Sequence, residues 1–270
     1  MQERTVAIAG LGAIGLPVAR ALDADAVPGQ KLVAVAASDQ VRARERIADF
    51  RSPPAIVGLE DLAAEAEIVI ECVPAAQFAR VAEPAVAAGR IFVPLSVGAL
   101  LDHMQLVERA AESGARIVVP SGALLGLDGV RAAAEGNLAE VRLVTRKPPG
   151  GLAGSPFVVQ NDIDLDAIET PQCLFSGSAR EAAKGFPANI NVAVALSLAG
   201  IGPDRTMVEI WADPGVERNT HEVIVDGDAS RFRLQIEGIP SPDNPRTGLL
   251  TPLSVLATLR ALSAPMRVGT

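Results

Sequence analysis

A glycine pattern near the start of the chain constrains the fold more than any other feature. Gly10, Gly12 and Gly15 follow directly on the apolar run Val6-Ala7-Ile8, and the amphipathic stretch Ile14 to Leu22 follows on them. Strand, tight turn and helix start in this order build a cradle for the pyrophosphate of a dinucleotide. Gly10 permits the turn and Gly12 lets the backbone approach the phosphates. Gly15 lets the helix pack closely on its strand, with its N-terminus facing the anion. Ala13 and Ile14, inside the motif, belong to the same cofactor-binding segment. A GxGxxG is weak by itself in a chain with 24 glycines, where an ordinary turn is the bland alternative. Its position behind a strand, ahead of a helix and before a second apolar run at Lys31 to Ala37 gives it weight.

Up to about Ser121, short apolar runs alternate with helical patterns, the rhythm of a doubly wound parallel sheet. Strands are predicted at Thr5 to Ala9, Lys31 to Ala37, Ile68 to Cys72, Ile91 to Pro94 and Arg116 to Val119. Helices are expected at Ile14 to Leu22, Val41 to Asp49, Leu59 to Ala64, Ala75 to Ala88 and Leu100 to Ser113. Beyond Ser121 the strand candidates are Val141 to Arg146, Met207 to Ala212, His221 to Val225 and Arg231 to Glu237. In the last of these, Phe232, Leu234 and Ile236 alternate with polar neighbours, the mark of a sheet with one wet face. A helix from Pro187 to Ala199 is expected across it, and the Pro- and Gly-rich segment Lys147 to Asp162 reads as a mobile loop. The expected fold class is α/β: a Rossmann doubly wound parallel sheet, then an α+β catalytic and dimerisation domain with a mainly antiparallel sheet. The expected division is residues 1–121 for the dinucleotide and 122–246 for the substrate, with a C-terminal helix within 247–270 packing back on the first domain.

Hydrophobic residues make up 49% of the chain but aromatics only 3%, with no Tyr, so the core must be built largely from Ala, Val, Leu and Ile. That suits buried parallel strands. A net charge of −8 argues against nucleic acid or an anionic membrane as partner, because the long-range field is repulsive. A small anionic substrate then needs a local cationic pocket. Cys72 and Cys173 are too few for a disulfide framework, and two isolated histidines with no clustered ligands point to no metal. A strand that begins by Thr5 leaves no room for a signal segment, and no apolar run approaches membrane length; a cytoplasmic location is the expectation.

The end of the second strand bears on the choice between NAD and NADP. An acid there binds the ribose 2′-hydroxyl of NAD and repels the 2′-phosphate of NADP. Here the strand ends Ala37-Ser38-Asp39, with the acid slightly late. Asp39 is close enough to serve, Ser38 with Arg42 or Arg44 equally suits a phosphate, and Asp39 also reads as a helix N-cap. Either cofactor remains open. Glu71-Cys72-Val73-Pro74 and Ser96-Val97-Gly98-Ala99 fall at later strand ends, which line the same crevice or simply turn the chain.

Further blocks carry a family resemblance: Pro120-Ser121-Gly122-Ala123-Leu124-Leu125-Gly126-Leu127-Asp128, Thr145-Arg146-Lys147-Pro148-Pro149, Phe175-Ser176-Gly177-Ser178-Ala179-Arg180-Glu181-Ala182, Phe186-Pro187-Ala188-Asn189-Ile190-Asn191-Val192-Ala193, Asp213-Pro214 and Asn219-Thr220-His221. In this order, and continuing to Asn244-Pro245-Arg246-Thr247, the chain resembles the L-aspartate dehydrogenase family. The resemblance implies oxidation of L-aspartate with NAD or NADP to iminosuccinate, which hydrolyses to oxaloacetate and ammonia or enters NAD biosynthesis. Reductive amination is the reverse. It also implies a homodimer, with His221 in the active site and Ala123 and Asn189 against the dinucleotide. Many relatives end the second strand with an acid where this chain has Ala37-Ser38, a departure that weakens any strict NAD preference.

Chemistry asks for a similar set. Removing a hydride from an amino-acid Cα requires a neutral amine, hence a base working near neutral pH, and imidazole meets that range with least perturbation. Of the two histidines, His103 lies on a helical stretch, whereas His221 opens a strand behind a turn. Asn189 also suits a plain cap at its helix start. A dicarboxylate needs cations, and Lys147, inside a family-like block, and Lys184, between two of them, are the lysine candidates. Arg146, Arg180 and Arg246 rival them, and a surface charge is the bland reading of each. Two other functions fit the same plan: another NAD(P)-dependent imine or polyol oxidoreductase, and a non-catalytic dinucleotide-binding regulator, which has no use for an acid/base histidine.

Overall fold

The computed structural model describes residues 3–242 and 244–269, with the side chains of Asn189, Pro245 and Arg246 left aside. Contacts divide the chain into two units, Met1–Gly122 with Thr251–Arg267, and Ala123–Leu250 with Val268–Thr270.

The first unit holds six parallel strands: β1 (Arg4–Ala9), β2 (Gln30–Ala36), β3 (Ala55–Ile56), β4 (Ile68–Glu71), β5 (Ile91–Pro94) and β6 (Arg116–Ile117). Their order is β3-β2-β1-β4-β5-β6, so the connections reverse direction between β1 and β4. In such sheets that reversal opens a crevice at the carboxyl ends of the strands. Buried alanines, Ala7, Ala9, Ala34 and Ala36, take the place of bulk in the strands. Helix α1 (Gly15–Asp23) buries Val18, Ala19 and Leu22, and helix α2 (Gln40–Ile47) buries Ala43 and Ile47. The last helix, Leu250–Ser263, puts Val255 and Leu259 into the same core cluster as Val6 and Val35. Buried Gln30 of β2 ties it down by donating to the Leu259 carbonyl and, at 3.1 Å, to Ser263 Oγ.

The second unit contains β7 (Leu138–Lys147), β8 (Gln172–Ser178), β9 (Met207–Ala212), β10 (Thr220–Gly227) and β11 (Arg231–Glu237), in the order β11-β10-β7-β9-β8. Only the β7–β9 pairing is parallel; the other three are antiparallel. Alternation sorts the residues by face. Val141, Leu143, Val208, Ile210, Val223 and Val225 are all buried on the side met by helices Leu127–Ala134 and Asn191–Ala199. The opposite face is charged, with Arg142 pairing to Glu140 and, at 3.2 Å, to Glu209.

Two sequence expectations need correction here. Lys147 to Asp162 is not a loop throughout. Lys147 ends β7, a 3-10 turn follows at Pro149–Leu152 and a helix at Pro156–Gln160, with Leu152 and Val158 buried. Proline fits the first position of both turns, where its missing N–H costs nothing. The expected helix Leu100 to Ser113 is broken into Val97–Leu100, a 3-10 turn Leu101–His103, and Gln105–Ser113.

Candidate functional site

In the first unit the glycine turn sits between β1 and α1, and the protein's own backbone requires two of its three glycines. A Cβ on Gly15 would lie 1.9 Å from the Gly10 carbonyl oxygen, and one on Gly10 would lie 2.5 Å from that of Cys72. Gly10 also has φ +93°, open to glycine but not to side chains. Gly12 differs. It is exposed, and a Cβ there would meet nothing within 4 Å. A residue free of internal crowding, at the mouth of a helix with no acid in its first turn, leaves room for an anion. The cradle therefore fits a dinucleotide pyrophosphate. Ala13 lies half-buried in the turn, and Ile14, the residue that caps the start of α1, packs against the core.

At the end of β2, Ser38 and Asp39 are exposed. The Asp39 carboxylate accepts from the Arg42 amide at 3.0 Å and so caps α2. Beside them, Arg46 of α2 donates to the Leu11 carbonyl of the glycine turn.

The second unit holds the titratable cluster. The β7–β10 register sets Thr145 directly opposite His221, so both side chains share the buried, helix-covered face, and Lys147, two residues beyond Thr145, shares it too. Thr145 Oγ1 and His221 Nδ1 are hydrogen-bonded at 3.0 Å. His221 is 5% exposed and Lys147 6%, among strands otherwise filled by valine, leucine and isoleucine. Burial, helped by the Lys147 charge, lowers the imidazole to about 3. Burial alone lowers the Lys147 ammonium to about 8. Near neutral pH the ring is thus neutral, and the lysine is the group closest to its titration point. Two buried ionisable groups held on one face at a strand end are costly for stability and characteristic of a site that handles charge.

The remaining candidates are placed as follows. Ala123 is half-buried, one residue after Gly122 with its φ of +63°. Asn189 ends the 3-10 turn Pro187–Asn189 ahead of helix Asn191–Ala199, and its side chain lies outside the described ones. Lys184 is exposed on the last turn of helix Ala179–Gly185, where a cation complements the helix dipole. Arg146 faces away from His221, lying over the Trp211 ring at 4.5 Å and pairing with Asp213 at 3.4 Å. Arg180 forks onto Asp204 at 2.6 and 3.0 Å, and the Arg246 side chain lies outside the described ones. His103 packs on Phe78, ring centroids 5.5 Å apart. Thr145 was not singled out from the sequence; the register of β7 against β10 is the signal that finds it. Among the described residues no group of three His, Cys, Asp or Glu is placed to hold a metal, and no helix is long and apolar enough to cross a membrane.

Comparison with known proteins bears on both units. Residues 10–120 match a family model described as homoserine dehydrogenase, NAD binding domain, and residues 128–262 one described as aspartate dehydrogenase, C-terminal. The chain is 53% identical to an L-aspartate dehydrogenase of Bradyrhizobium diazoefficiens, over 99% of this chain and 95% of that one. It is 52% identical to L-aspartate dehydrogenase 3 of Bordetella bronchiseptica, over 100% and 98%. Among solved structures, an aspartate dehydrogenase from Thermotoga maritima superposes with a TM-score of 0.76 at 24% identity, covering 99% of this chain and 100% of that one. A scyllo-inositol dehydrogenase from Lactobacillus casei shares the fold at 14% identity and a TM-score of 0.57, covering 97% and 88%.

Proposed function

The chain belongs to the L-aspartate dehydrogenase family and is an NAD(P)-dependent oxidoreductase acting on the CH–NH2 group of L-aspartate; from that premise we propose that His221 is its acid/base residue and Lys147 its carboxylate-binding cation. The observation that carries this division of roles is the buried Thr145–His221–Lys147 cluster at the ends of β7 and β10.

When bound, the dinucleotide supplies the nicotinamide carbon that takes the hydride from Cα. Gly12, with Ala13 and Ile14, lets the turn close on its pyrophosphate, and Gly10 and Gly15 shape that turn. Ser38 and Asp39 would hold the adenosine ribose, and Ala123 and Asn189 are the further residues that the family resemblance implies would contact the dinucleotide. Asp39 caps α2 through Oδ1, and with Ser38 beside it the cofactor is NAD or NADP.

A neutral imidazole can accept a proton. With Nδ1–H donating to Thr145 Oγ1, the Nε2 lone pair takes the proton from the substrate ammonium, leaving the neutral amine that hydride loss requires. An arriving dicarboxylate favours the protonated ring and raises its pKa from the empty-site value. Lys147, still largely charged at neutral pH, binds a substrate carboxylate, its desolvation already met by the fold. The imine product is iminosuccinate. Once it has passed that proton to solvent, His221 activates water for hydrolysis of the imine to oxaloacetate and ammonia; in reductive amination the protonated ring instead returns its proton to the amine. Lys184, exposed on its helix end, is the weaker partner for the second carboxylate. The proposed assembly is a homodimer, which light scattering would read as about twice the 27.9 kDa chain mass.

The test is nicotinamide reduction with purified protein, NAD or NADP, and a panel of L-aspartate, L-glutamate, L-alanine and polyols. Turnover confined to aspartate supports the reading. Turnover of polyols, or dinucleotide binding with no turnover of anything, would overturn it.

A further inference from the structure

Glu71, the last residue of β4, is fully buried at the carboxyl end of the parallel sheet, beside the reversal between β1 and β4. Its carboxylate gathers donors from two separate connections. Oε1 accepts from the Val73 amide at 2.9 Å, and Oε2 from the Ser96 amide at 2.9 Å and the Leu95 amide at 3.2 Å. The Ser96 hydroxyl lies 2.9 Å from both Oε1 and the Val73 carbonyl, and can donate to either. One side chain therefore laces the segment after β4 to the segment after β5.

The first of those segments is the backing of the glycine turn. A Cβ on Gly10 would strike the Cys72 carbonyl oxygen at 2.5 Å and lie 3.4 Å from Val73 Cγ1. Burial pushes the carboxyl up from the usual carboxylate range, against the pull of its donors. A fold needing only stability has little use for a charge there, since an apolar residue costs no desolvation.

We propose that Glu71 is a positioning residue for the dinucleotide, a carboxylate clamp that fixes residues 72–74 behind the Gly10 turn and residues 95–96 at the neighbouring strand end. It touches no reacting atom and acts through the backbone. The inference rests on the dinucleotide reading of the first unit.

Glu71→Gln tests it. The amide replaces an acceptor oxygen with NH2, so at least one backbone N–H faces a donor. Titration of protein fluorescence with NADH, circular dichroism melting, and steady-state kinetics at saturating dinucleotide would be measured on wild type and variant. The clamp predicts a dissociation constant for NADH raised about tenfold, the penalty for a donor left unpaired to a charged acceptor. The aspartate KM and kcat at saturating dinucleotide should stay within about twofold. A folded Glu71→Gln that binds NADH as wild type does, or loses kcat with affinity intact, overturns the proposal. Should Glu71→Gln not fold, Ser96→Ala removes only the hydroxyl donor: an affinity weakened about threefold supports the clamp, and an unchanged one overturns it. Wild-type protein binding no NADH would overturn the dinucleotide reading itself, an outcome distinct from wild type and variant binding alike.

Discussion

The residue that does most to set the proposed chemistry is a lysine. Lys147 titrates near 8 because it is buried, so its charged form is present below that pH and lost above it. Free-protein pKa values govern kcat/KM, so kcat/KM for aspartate should fall above about pH 8 while the kcat profile, set in the complex, moves to higher pH. Lys147→Met should raise the aspartate KM by about a hundredfold, the loss of a desolvated charge-assisted contact, with NADH affinity unchanged; unaltered KM would return Lys147 to a structural role. Thr145 acts through His221. Thr145→Val should lower kcat about tenfold by releasing the ring tautomer, and Thr145→Ser, which keeps the hydroxyl, should restore most of it. The sequence made His221 visible as one of two histidines, at a strand start. It did not show that the ring is buried and held near 3, because burial depends on which face of β10 the register turns inward.

At the scale of elements, the glycine turn offers an internal contrast. Gly15→Ala places a methyl 1.9 Å from a carbonyl oxygen and should abolish soluble folded protein. Gly12→Ala meets nothing within 4 Å, so its melting temperature should match wild type while NADH binding is lost; retained binding would show that the pyrophosphate does not lie there. The strands of the first unit were legible because buried parallel strands read as continuous apolar runs, and β5 was bounded to the residue. β8 was missed. It is an edge strand without a buried residue, and a register shift between Cys173 and Phe175 breaks the period-two pattern by which strands are recognised. β3 has two residues, too few for any period. The prolines that begin Pro149–Leu152 and Pro156–Gln160 look like loop punctuation in the sequence because proline favours turns and first helical positions alike; here they start helical turns.

For the molecule as a whole, burying a neutral histidine makes stability depend on pH. The folded-state pKa of about 3 lies below the ordinary 6.5, so the unfolded chain binds the extra proton between those values and stability falls as pH falls through that window. The slope from this one group approaches about 1.4 kcal/mol per pH unit, and His221→Gln should flatten it in denaturant melts; an unchanged slope would mean that the ring is not buried neutral. The two-part plan was legible from the change of rhythm near Ser121, but the cluster on β7 and β10 was not, since it joins residues 76 apart in sequence. The most direct test of the central claim is kcat/KM for L-aspartate in His221→Ala, with NADH affinity measured on the same sample. The account predicts a loss of about 100- to 10,000-fold in kcat/KM with NADH affinity kept, the range for removing a general base. Activity within a few-fold of wild type would contradict it.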